Sequence, residues 1–546
     1  MKPWSPMQLP ALLTQVLLAT SLGAAPVLPH FFSDGVVLQR EREAAIWGQA
    51  TAGEEVTVSF KGKTVTAKTG ADGKWRTTLQ TGPADPTGAI LTVAAGGKTI
   101  EIRDVLVGEV WLASGQSNMV FTMERAPAYQ SIITGTDLPG LRFFNAPNVT
   151  ATEPQDDIEG VWTKAAPDSN GSQSAVAFFF ARKLHLDLGI PVGVIKSAWG
   201  GKPVETFTSR QALETLPGTR ALVDALFAEE KVYDPDAAQA TYQKNLAAWE
   251  TALKAWKEKP ADQRGRLARK PAPPKRPLDT EGRPGVLYNS MIHPFAGYTL
   301  RGAIWYQGEA NAKPGAVPYD QTLPLLIRDW RERWGDDFSF YFVQLANYRA
   351  PSTAPGTPDP WALLQDRMRR IPATTPKTGM AIINDTGEAG DIHPKNKKDP
   401  GERLALWALA KDYGQNPPVW SGPLFRAAEI RHGAVRITFE QTGTGLRARD
   451  GAPLKRFEIA GEDKVWHWAE AGIDGPDAVL VRAAAVPHPV AVRYAWASNP
   501  EGANLVNSAG LPASVFRTDD WKDAETFPEN AEAGAAKARI SRGSRR

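Results

Sequence analysis

The chain contains no cysteine among its 546 residues, and this absence excludes several kinds of chemistry. Disulfide bonds, thiol nucleophiles and cysteine-based zinc sites are impossible without it. Histidine is scarce as well, and the seven histidines show no His-Glu-x-x-His or similar ligand spacing. We therefore expect no metal site and no disulfide framework, so that the apolar cores alone stabilise the fold.

An excess of either charge is also missing, since 63 Lys and Arg against 60 Asp and Glu leave a formal net charge of +3. Such a balance gives no basic surface for nucleic acid. The long apolar run at 9–22 follows Lys2 and precedes small residues at 23–25. This layout predicts a signal peptide over 1–25 rather than a membrane span. We expect an exported protein, periplasmic or extracellular, with no membrane association after cleavage; an apolar terminus without a sorting role is the alternative.

The length exceeds what one apolar core supports, and the residue pattern changes along the chain. Strict alternation of polar and apolar residues with glycine turns predicts antiparallel β-domains at both ends. Between them strand-like and helix-like segments alternate, which predicts an α/β core with a mainly parallel sheet covered on both faces. The predicted domains are an N-terminal β-domain (26–103), a catalytic domain in two parts (104–227 and 286–415), an insertion (228–285), a C-terminal β-domain (416–523) and a disordered tail (524–546). The expected core elements are strands at 105–113, 192–197, 302–306, 338–345 and 380–384 and helices at 175–188, 323–334, 361–371 and 402–413.

The insertion contains an amphipathic helix followed by a segment rich in Pro, Arg and Lys. Its apolar residues recur every three or four positions: Tyr242, Leu246, Trp249, Leu253 and Trp256. The favoured interpretation is that this stripe packs on the parent domain. The alternative is that Trp249 and Trp256 form a wall on which sugars stack.

Ser117 follows the predicted strand at 105–113 and lies in the sequence Gly-Gln-Ser-Asn-Met at 115–119. Ligands of open α/β sheets collect at the carboxyl ends of the strands, so a serine in this turn can be a nucleophile. The alternative is that Ser117 and Asn118 only cap the next helix.

A base for Ser117 is available in Asp391-Ile392-His393-Pro394, after the last predicted core strand. A neutral histidine can accept the hydroxyl proton, and an aspartate on its other ring nitrogen fixes the tautomer. The alternative is an aspartate that makes a turn beside a surface histidine. The other six histidines lie in less suitable segments.

Two further loops follow predicted strands. Gly200 and Gly201 come after the strand at 192–197, and their backbone N–H groups could approach a developing oxyanion. The strand at 302–306 is followed by Gln307, Glu309 and Asn311, which offer amides and a carboxylate. Each loop could be an ordinary turn, but four such loops at one sheet edge favour an active site.

Four blocks together resemble the sialate O-acetylesterase-like branch of the SGNH hydrolases. They are Gly-Gln-Ser-Asn-Met at 115–119, Trp-Gly-Gly at 199–201, Tyr-Gln-Gly-Glu-Ala-Asn at 306–311 and Asp-Ile-His-Pro at 391–394. The similarity extends to the segments at 32–39, 400–405, 510–513 and 516–519, so it covers nearly the whole mature chain.

The resemblance implies a flavodoxin-like, three-layer SGNH core and a serine esterase that removes acetyl groups from sugars without a cofactor. It assigns Ser117 as nucleophile, His393 as base and Asp391 as its orienting partner. It further implies an oxyanion hole of the Ser117 amide, Gly201 and Gln307, and substrate contacts from Gln116, Trp199 and Glu309. The chain departs from the wider superfamily in having Gln307 where an Asn is usual, and an Asp two rather than three residues before the His.

The resemblance implies an O-acetylated oligosaccharide or polysaccharide as substrate. Export and the extra aromatic helix favour a plant hemicellulose such as xylan or xyloglucan, whereas a sialate O-acetylesterase should present Arg or Lys to the sugar carboxylate. Two other classes are a glycoside hydrolase using Glu309 and Asp391 and a non-catalytic carbohydrate-binding protein. Neither class needs a Ser–His pair.

Overall fold

The computed structural model describes residues 25–522. The predicted signal peptide, up to residue 24, and the predicted disordered tail lie outside the described residues. Within the described range, no helix is both long enough and apolar enough to cross a membrane.

Strands dominate the amino-terminal part and pair mainly in antiparallel fashion, as predicted. Alternate residues of Glu55–Phe60 are buried, as expected of a strand with one solvated face. The strands are β1 (Val37–Gln39), β2 (Glu43–Gln49), β3 (Glu55–Phe60), β4 (Lys63–Lys68), β5 (Lys74–Gln80), β6 (Asp85–Ala95) and β7 (Lys98–Gly115).

Strand β7 is 18 residues long and belongs to two ladders. Its first part pairs antiparallel with β6, and its second part continues as a parallel strand from Glu109. Every residue from Val105 to the end of the strand is buried, which suits a strand covered on both faces. The predicted division at residues 103 and 104 falls inside this strand.

The middle of the chain forms a mixed α/β structure with β7 in its central sheet. The strands are β8 (Leu138–Asn145), β9 (Trp162–Ala165), β10 (Val192–Ala198), β11 (Gly302–Tyr306), β12 (Ser339–Val343) and β13 (Thr378–Ala381). The helices are α1 (Ser117–Val120), α2 (Gln130–Gly135), α3 (Ala175–Leu188), α4 (Arg210–Leu213), α5 (Pro217–Val232), α6 (Pro235–Glu258), α7 (Tyr319–Trp334), α8 (Pro360–Thr374) and α9 (Lys398–Lys411).

The central sheet has the strand order β13-β12-β11-β7-β10-β8-β9 and is parallel except for β9. The predicted core elements are confirmed, some with shifted ends. Helix α9 begins four residues before the predicted position 402 because Pro400 is tolerated in a first helical turn. Strand β13 ends at Ala381, three residues earlier than predicted.

Aromatic contacts show how helices cover this sheet. Phe340 and Tyr341 are neighbours in β12, so their side chains point to opposite faces. The Tyr341 ring lies 6.2 Å from Trp407 of α9, and the Phe340 ring lies 5.9 Å from Trp330 of α7. Helices therefore pack on both faces of the central sheet.

The carboxy-terminal part is antiparallel, as predicted, and its apolar core includes Ala362 and Leu363 of α8. Its strands are β14 (Leu424–Arg431), β15 (Ala434–Glu440), β16 (Leu446–Ala448), β17 (Phe457–Ala460), β18 (Trp466–Trp468), β19 (Glu470–Ile473), β20 (Ala478–Arg482), β21 (Ala491–Tyr494), β22 (Leu505–Asn507) and β23 (Phe516–Arg517).

The insertion contains helix α6, and no residue of that helix is buried. The Trp249 indole donates to the carbonyl of Ala268 at 2.7 Å, and the Trp256 indole donates to that of Gly265. Both acceptors lie in the segment that follows the helix. For these two tryptophans the expected packing on the parent domain is wrong, because the Pro-rich segment turns back and supplies the acceptors that indole N–H groups need.

Candidate active site

The turn that carries Ser117 is built by the close approach of two strand ends. The backbone N–H of Gln116 donates to the carbonyl of Tyr306, the last residue of β11, at 2.9 Å. Gly115 has φ +136°, and a Cβ on it would lie 2.2 Å from the Tyr306 carbonyl oxygen. Only glycine fits there without moving the strands apart. Ser117 is thereby held at the carboxyl edge of the central sheet.

The Ser117 hydroxyl does not cap helix α1. Gln116 is the N-cap residue, and no side chain makes the cap hydrogen bond. The Ser117 Oγ instead lies 2.7 Å from Nε2 of His393, within hydrogen-bonding distance. The residue is partly exposed.

Asp391 lies on the other side of the His393 ring. Its Oδ1 accepts from the His393 backbone N–H at 2.9 Å and is 3.5 Å from Nδ1, which is long for a hydrogen bond. The hydrogen bond from the His393 backbone lowers the pKa of Asp391, helped by Lys395. Desolvation lowers the pKa of His393, although Asp391 opposes that shift. The pair thus holds a neutral imidazole beside an ionised carboxylate near pH 7.

The glycine turn after β10 lies directly against the serine. A Cβ built on Gly200 would be 3.3 Å from the Ser117 Cβ, whereas one on Gly201 would meet open space. Within residues 25–522, the backbone N–H groups of Ser117 and Gly200 donate to no protein acceptor. A free N–H in a first helical turn is available to an anion.

Gln307 is completely buried and its amide is engaged with protein partners. Its Nε2 donates to Asn311 Oδ1 at 2.8 Å and to the Lys202 carbonyl at 3.2 Å. Its Oε1 accepts from the Tyr319 hydroxyl at 2.7 Å. Asn311 in turn donates to both carboxylate oxygens of buried Glu205 at 3.1 Å.

The predicted substrate contacts differ in exposure. Gln116 is buried and its amide donates to the Glu309 carboxylate, so these two residues bind each other. Glu309 and Trp199 are partly exposed. The Lys202 ammonium lies 5.4 Å from the Trp199 ring. Of the three residues, Trp199 and Glu309 are therefore the ones that a ligand could touch.

Two buried residues beside Ser117 and His393 escaped the sequence reasoning. The sequence predicts no role for Asn118 other than a helix cap, yet its side-chain amide donates to Glu309 and to the carbonyl of Ile392. Lys397 lies in a Lys-rich run that reads as a solvated surface, but its side chain is fully buried. No local signal separates Lys397 from exposed Lys398, because burial depends on distant segments.

Among the described residues no group of three or more His, Asp or Glu side chains could hold a metal ion.

Comparisons with individual relatives and with a solved structure agree on one family. No family model matches the chain. The chain is 30% identical to the sialate O-acetylesterase of Rattus norvegicus over 533 residues, covering 89% of this chain and 93% of the relative. It is 28% identical to the Homo sapiens protein of the same name over 540 residues, covering 89% of this chain and 91% of that relative.

A solved structure gives the same result. The crystal structure of a carbohydrate acetylesterase from Xanthomonas citri matches with 36% identity and a TM-score of 0.75, covering 91% of this chain and all of that one. The resemblance seen in the sequence is confirmed, and the glycoside hydrolase and binding-protein alternatives lose their support. By identity and coverage the chain belongs to the sialate O-acetylesterase family of carbohydrate esterases and is a carboxylic ester hydrolase.

Proposed function

We propose that the protein is a serine-dependent carbohydrate O-acetylesterase with Ser117 as nucleophile, His393 as base and Asp391 as the residue that orients the base. The observation that carries the proposal is the 2.7 Å contact between Ser117 Oγ and His393 Nε2. A nucleophile within hydrogen-bonding distance of a base, which is itself oriented by a third group, is typical of covalent acyl transfer.

The reaction proceeds through two acyl transfers. Ser117 Oγ attacks the acetyl carbonyl carbon while His393 Nε2 accepts the hydroxyl proton. The tetrahedral intermediate collapses, the bond to the sugar oxygen breaks, and His393 returns its proton to the leaving alcohol. His393 then takes a proton from a water molecule as the water attacks the acetyl-serine; the second tetrahedral intermediate collapses, His393 returns the proton to Ser117 Oγ, and acetate leaves.

The oxyanion is stabilised by backbone donors. The donors are the N–H groups of Ser117 and of the turn at Gly200 and Gly201. Ser117 and Gly200 lie next to each other, and their N–H groups have no protein acceptor within residues 25–522, which supports this role. Gln307 is the third predicted donor. Its Nε2 already donates to Asn311 and Lys202, so the backbone groups carry this part of the proposal.

The core is proposed to have the flavodoxin-like, three-layer SGNH architecture, and the protein to be exported. The parallel strands β13, β12, β11, β7, β10 and β8, with helices on opposite faces, support that architecture. Ser117 follows the long strand shared with the amino-terminal sheet, and His393 follows the edge strand β13.

An O-acetylated hemicellulose is the first substrate candidate, supported by the partly exposed Trp199 ring beside the Gly200 turn. The tryptophans of α6 add no support, because their indoles bond to their own segment. O-acetylated sialic acid is the second candidate. Exposed Arg125 favours it, since this guanidinium makes no ion pair within the described chain and contributes a positive charge close to His393.

Hydrolysis of a chromogenic acetate ester by wild type and by Ser117→Ala tests the proposal. We expect the alanine variant to lose activity by ~10⁴-fold or more, as expected when a triad nucleophile is removed. Ser114→Ala is a matched control, because the Ser114 hydroxyl is buried without a hydrogen-bond partner in the described chain and should leave the rate unchanged. Full activity of Ser117→Ala would overturn the mechanism. Acetate release from acetylated xylan, xyloglucan and sialic acid, compared in parallel, decides between the substrates.

A further inference from the structure

A buried lysine lies beside the Ser–His pair and has no part in the steps above. Lys397 is 0% exposed although lysine is almost never fully buried without a partner. Its Nζ donates to Asn118 Oδ1 at 2.6 Å. The ammonium also lies 4.8 Å from the Phe121 ring and 5.6 Å from the Tyr306 ring. Both distances suit cation–π contacts.

Lys397 fixes the orientation of the Asn118 side chain. An ammonium can only donate, so the amide oxygen of Asn118 must face it and the NH₂ group must point away. That NH₂ group donates to the Glu309 carboxylate and, at 3.1 Å, to the carbonyl of Ile392. A flipped amide would place its NH₂ against the ammonium and its oxygen against a carboxylate.

These contacts join the two segments that carry the reacting groups. Asn118 is the residue after Ser117, and Ile392 is the residue before His393. Gln116, on the other side of Ser117, also donates to Glu309. The nucleophile turn is thus bound on both sides, and one of its bonds extends to the histidine loop.

A second contact holds the Lys397 backbone itself. The Tyr129 hydroxyl accepts from the Lys397 backbone N–H at 2.6 Å and donates to the Lys395 carbonyl at 3.0 Å. The end of the histidine loop is therefore fixed where the lysine side chain enters the core.

We propose that Lys397 is a positioning residue for the esterase reaction: it sets the Asn118 amide, holds Ser117 against His393, and acts on His393 through its positive charge. This inference rests on the proposed roles of Ser117 and His393.

The electrostatics agree with the geometry. Burial lowers the pKa of Lys397 to about 7, against the attraction of nearby carboxylates. Below that pH the lysine is charged, and after desolvation its charge is one of the causes that lower the pKa of His393. The charged groups that face Lys397 come from three segments: Glu309 after β11, Asp391 and Glu388 on the histidine loop, and Arg125 after α1.

The test is Lys397→Met, which keeps an apolar side chain of similar length and removes both the charge and the donor. We expect kcat for a chromogenic acetate ester to fall about tenfold or more with KM within about twofold, because Lys397 touches no substrate. We also expect the acidic limb of kcat/KM against pH to move to higher pH, since His393 loses a neighbouring positive charge. A residue with only a packing role would not produce that shift.

Two further variants separate the contributions. Lys398→Met is the matched control, because Lys398 is the exposed neighbour and should leave kcat and the pH profile unchanged. Lys397→Gln keeps a donor for Asn118 without the charge. Lys397→Gln should recover part of kcat but keep the acidic limb of kcat/KM at the higher pH. If Lys397→Met does not fold, Lys397→Gln replaces it in the test.

The outcomes distinguish this inference from the proposed function. The role of Lys397 would be overturned if folded Lys397→Met kept the wild-type kcat and an unshifted acidic limb. It would also be overturned if the acidic limb of Lys397→Gln were unshifted. Loss of activity in Ser117→Ala would in that case leave the proposed function intact. Unchanged activity in Ser117→Ala would remove the basis of both.

Discussion

At the scale of single residues, His393 governs the expected pH dependence. Burial lowers its pKa below the ordinary value of about 6.5. In its proposed role as base, the imidazole must be neutral to accept the Ser117 proton, so activity should fall as the pH drops through that lowered pKa. We predict an acidic limb of kcat/KM with its midpoint below about 6.5, measured on a chromogenic acetate.

Enzyme incubated at each pH and assayed at neutral pH serves as the control for inactivation. A midpoint above the ordinary histidine value, with the enzyme intact, would contradict the assignment of His393 as the buried base.

The sequence was sufficient to propose Ser117, His393 and Asp391, because their chemistry lies in short motifs within loops that follow core strands. It could not reveal Lys397, since Lys395 and Lys398 on either side are exposed and of the same type. Whether a lysine is solvated depends on segments far away in the chain. Here those segments contribute Phe121 and Tyr306 to its surroundings.

At the scale of elements, the turn from β7 to α1 tolerates no side chain at Gly115. Gly115→Ala would place a methyl group 2.2 Å from the Tyr306 carbonyl oxygen at a φ of +136°. We predict a loss of unfolding free energy of about 3 kcal/mol together with loss of esterase activity, because strands β7 and β11 must separate. Urea unfolding and the acetate assay measure the two effects.

Gly62→Ala is the comparison variant for Gly115. Gly62 also has a positive φ, of +76°, but a Cβ there meets no atom within 4 Å. Gly62→Ala should therefore lower the free energy of unfolding by only about 1 kcal/mol and leave esterase activity unchanged. Equal losses in both variants would show that the close approach to Tyr306 does not matter.

The period of the apolar residues predicted where the helices and strands lie, but it did not predict which segment packs on the apolar face of a helix. Helix α3 and strand β11 have the predicted bounds, because each carries a strong pattern between clear breaks. In α6 the stripe has the predicted period, but Trp249 and Trp256 bond to the segment that follows. A pattern shows which face is apolar and does not identify its partner.

At the scale of the whole molecule, Asp359 joins helix α8 to the loop between β21 and β22 of the carboxy-terminal part. Its carboxylate caps α8 at the N–H groups of Trp361 and Ala362 and also accepts from the backbone and hydroxyl of Ser498. We predict that Asp359→Ala lowers the free energy of unfolding by about 3 kcal/mol, since a helix cap and the partly buried hydrogen bonds to Ser498 are lost together. Urea unfolding followed by tryptophan fluorescence measures the loss.

Asp234 gives the matched control, because it caps the exposed helix α6 and its carboxylate bonds only to that helix among the described residues. Asp234→Ala should cost about 1 kcal/mol. Similar losses in the two variants would show that the bonds to Ser498 add nothing to the stability of the whole.

The long strand β7 has a consequence for anyone who wishes to rebuild this protein. A cut at residues 103 and 104 would split one strand, and removal of the amino-terminal strands would leave residues 105–108 of β7 without their partners in β1 and β6, so these strands are not a separate module. Fusion partners or new chain ends should instead enter at the hairpin turns, such as Gly62 between β3 and β4, where side chains meet open space. The strand that presents Ser117 is also the strand that connects the amino-terminal sheet to the central sheet.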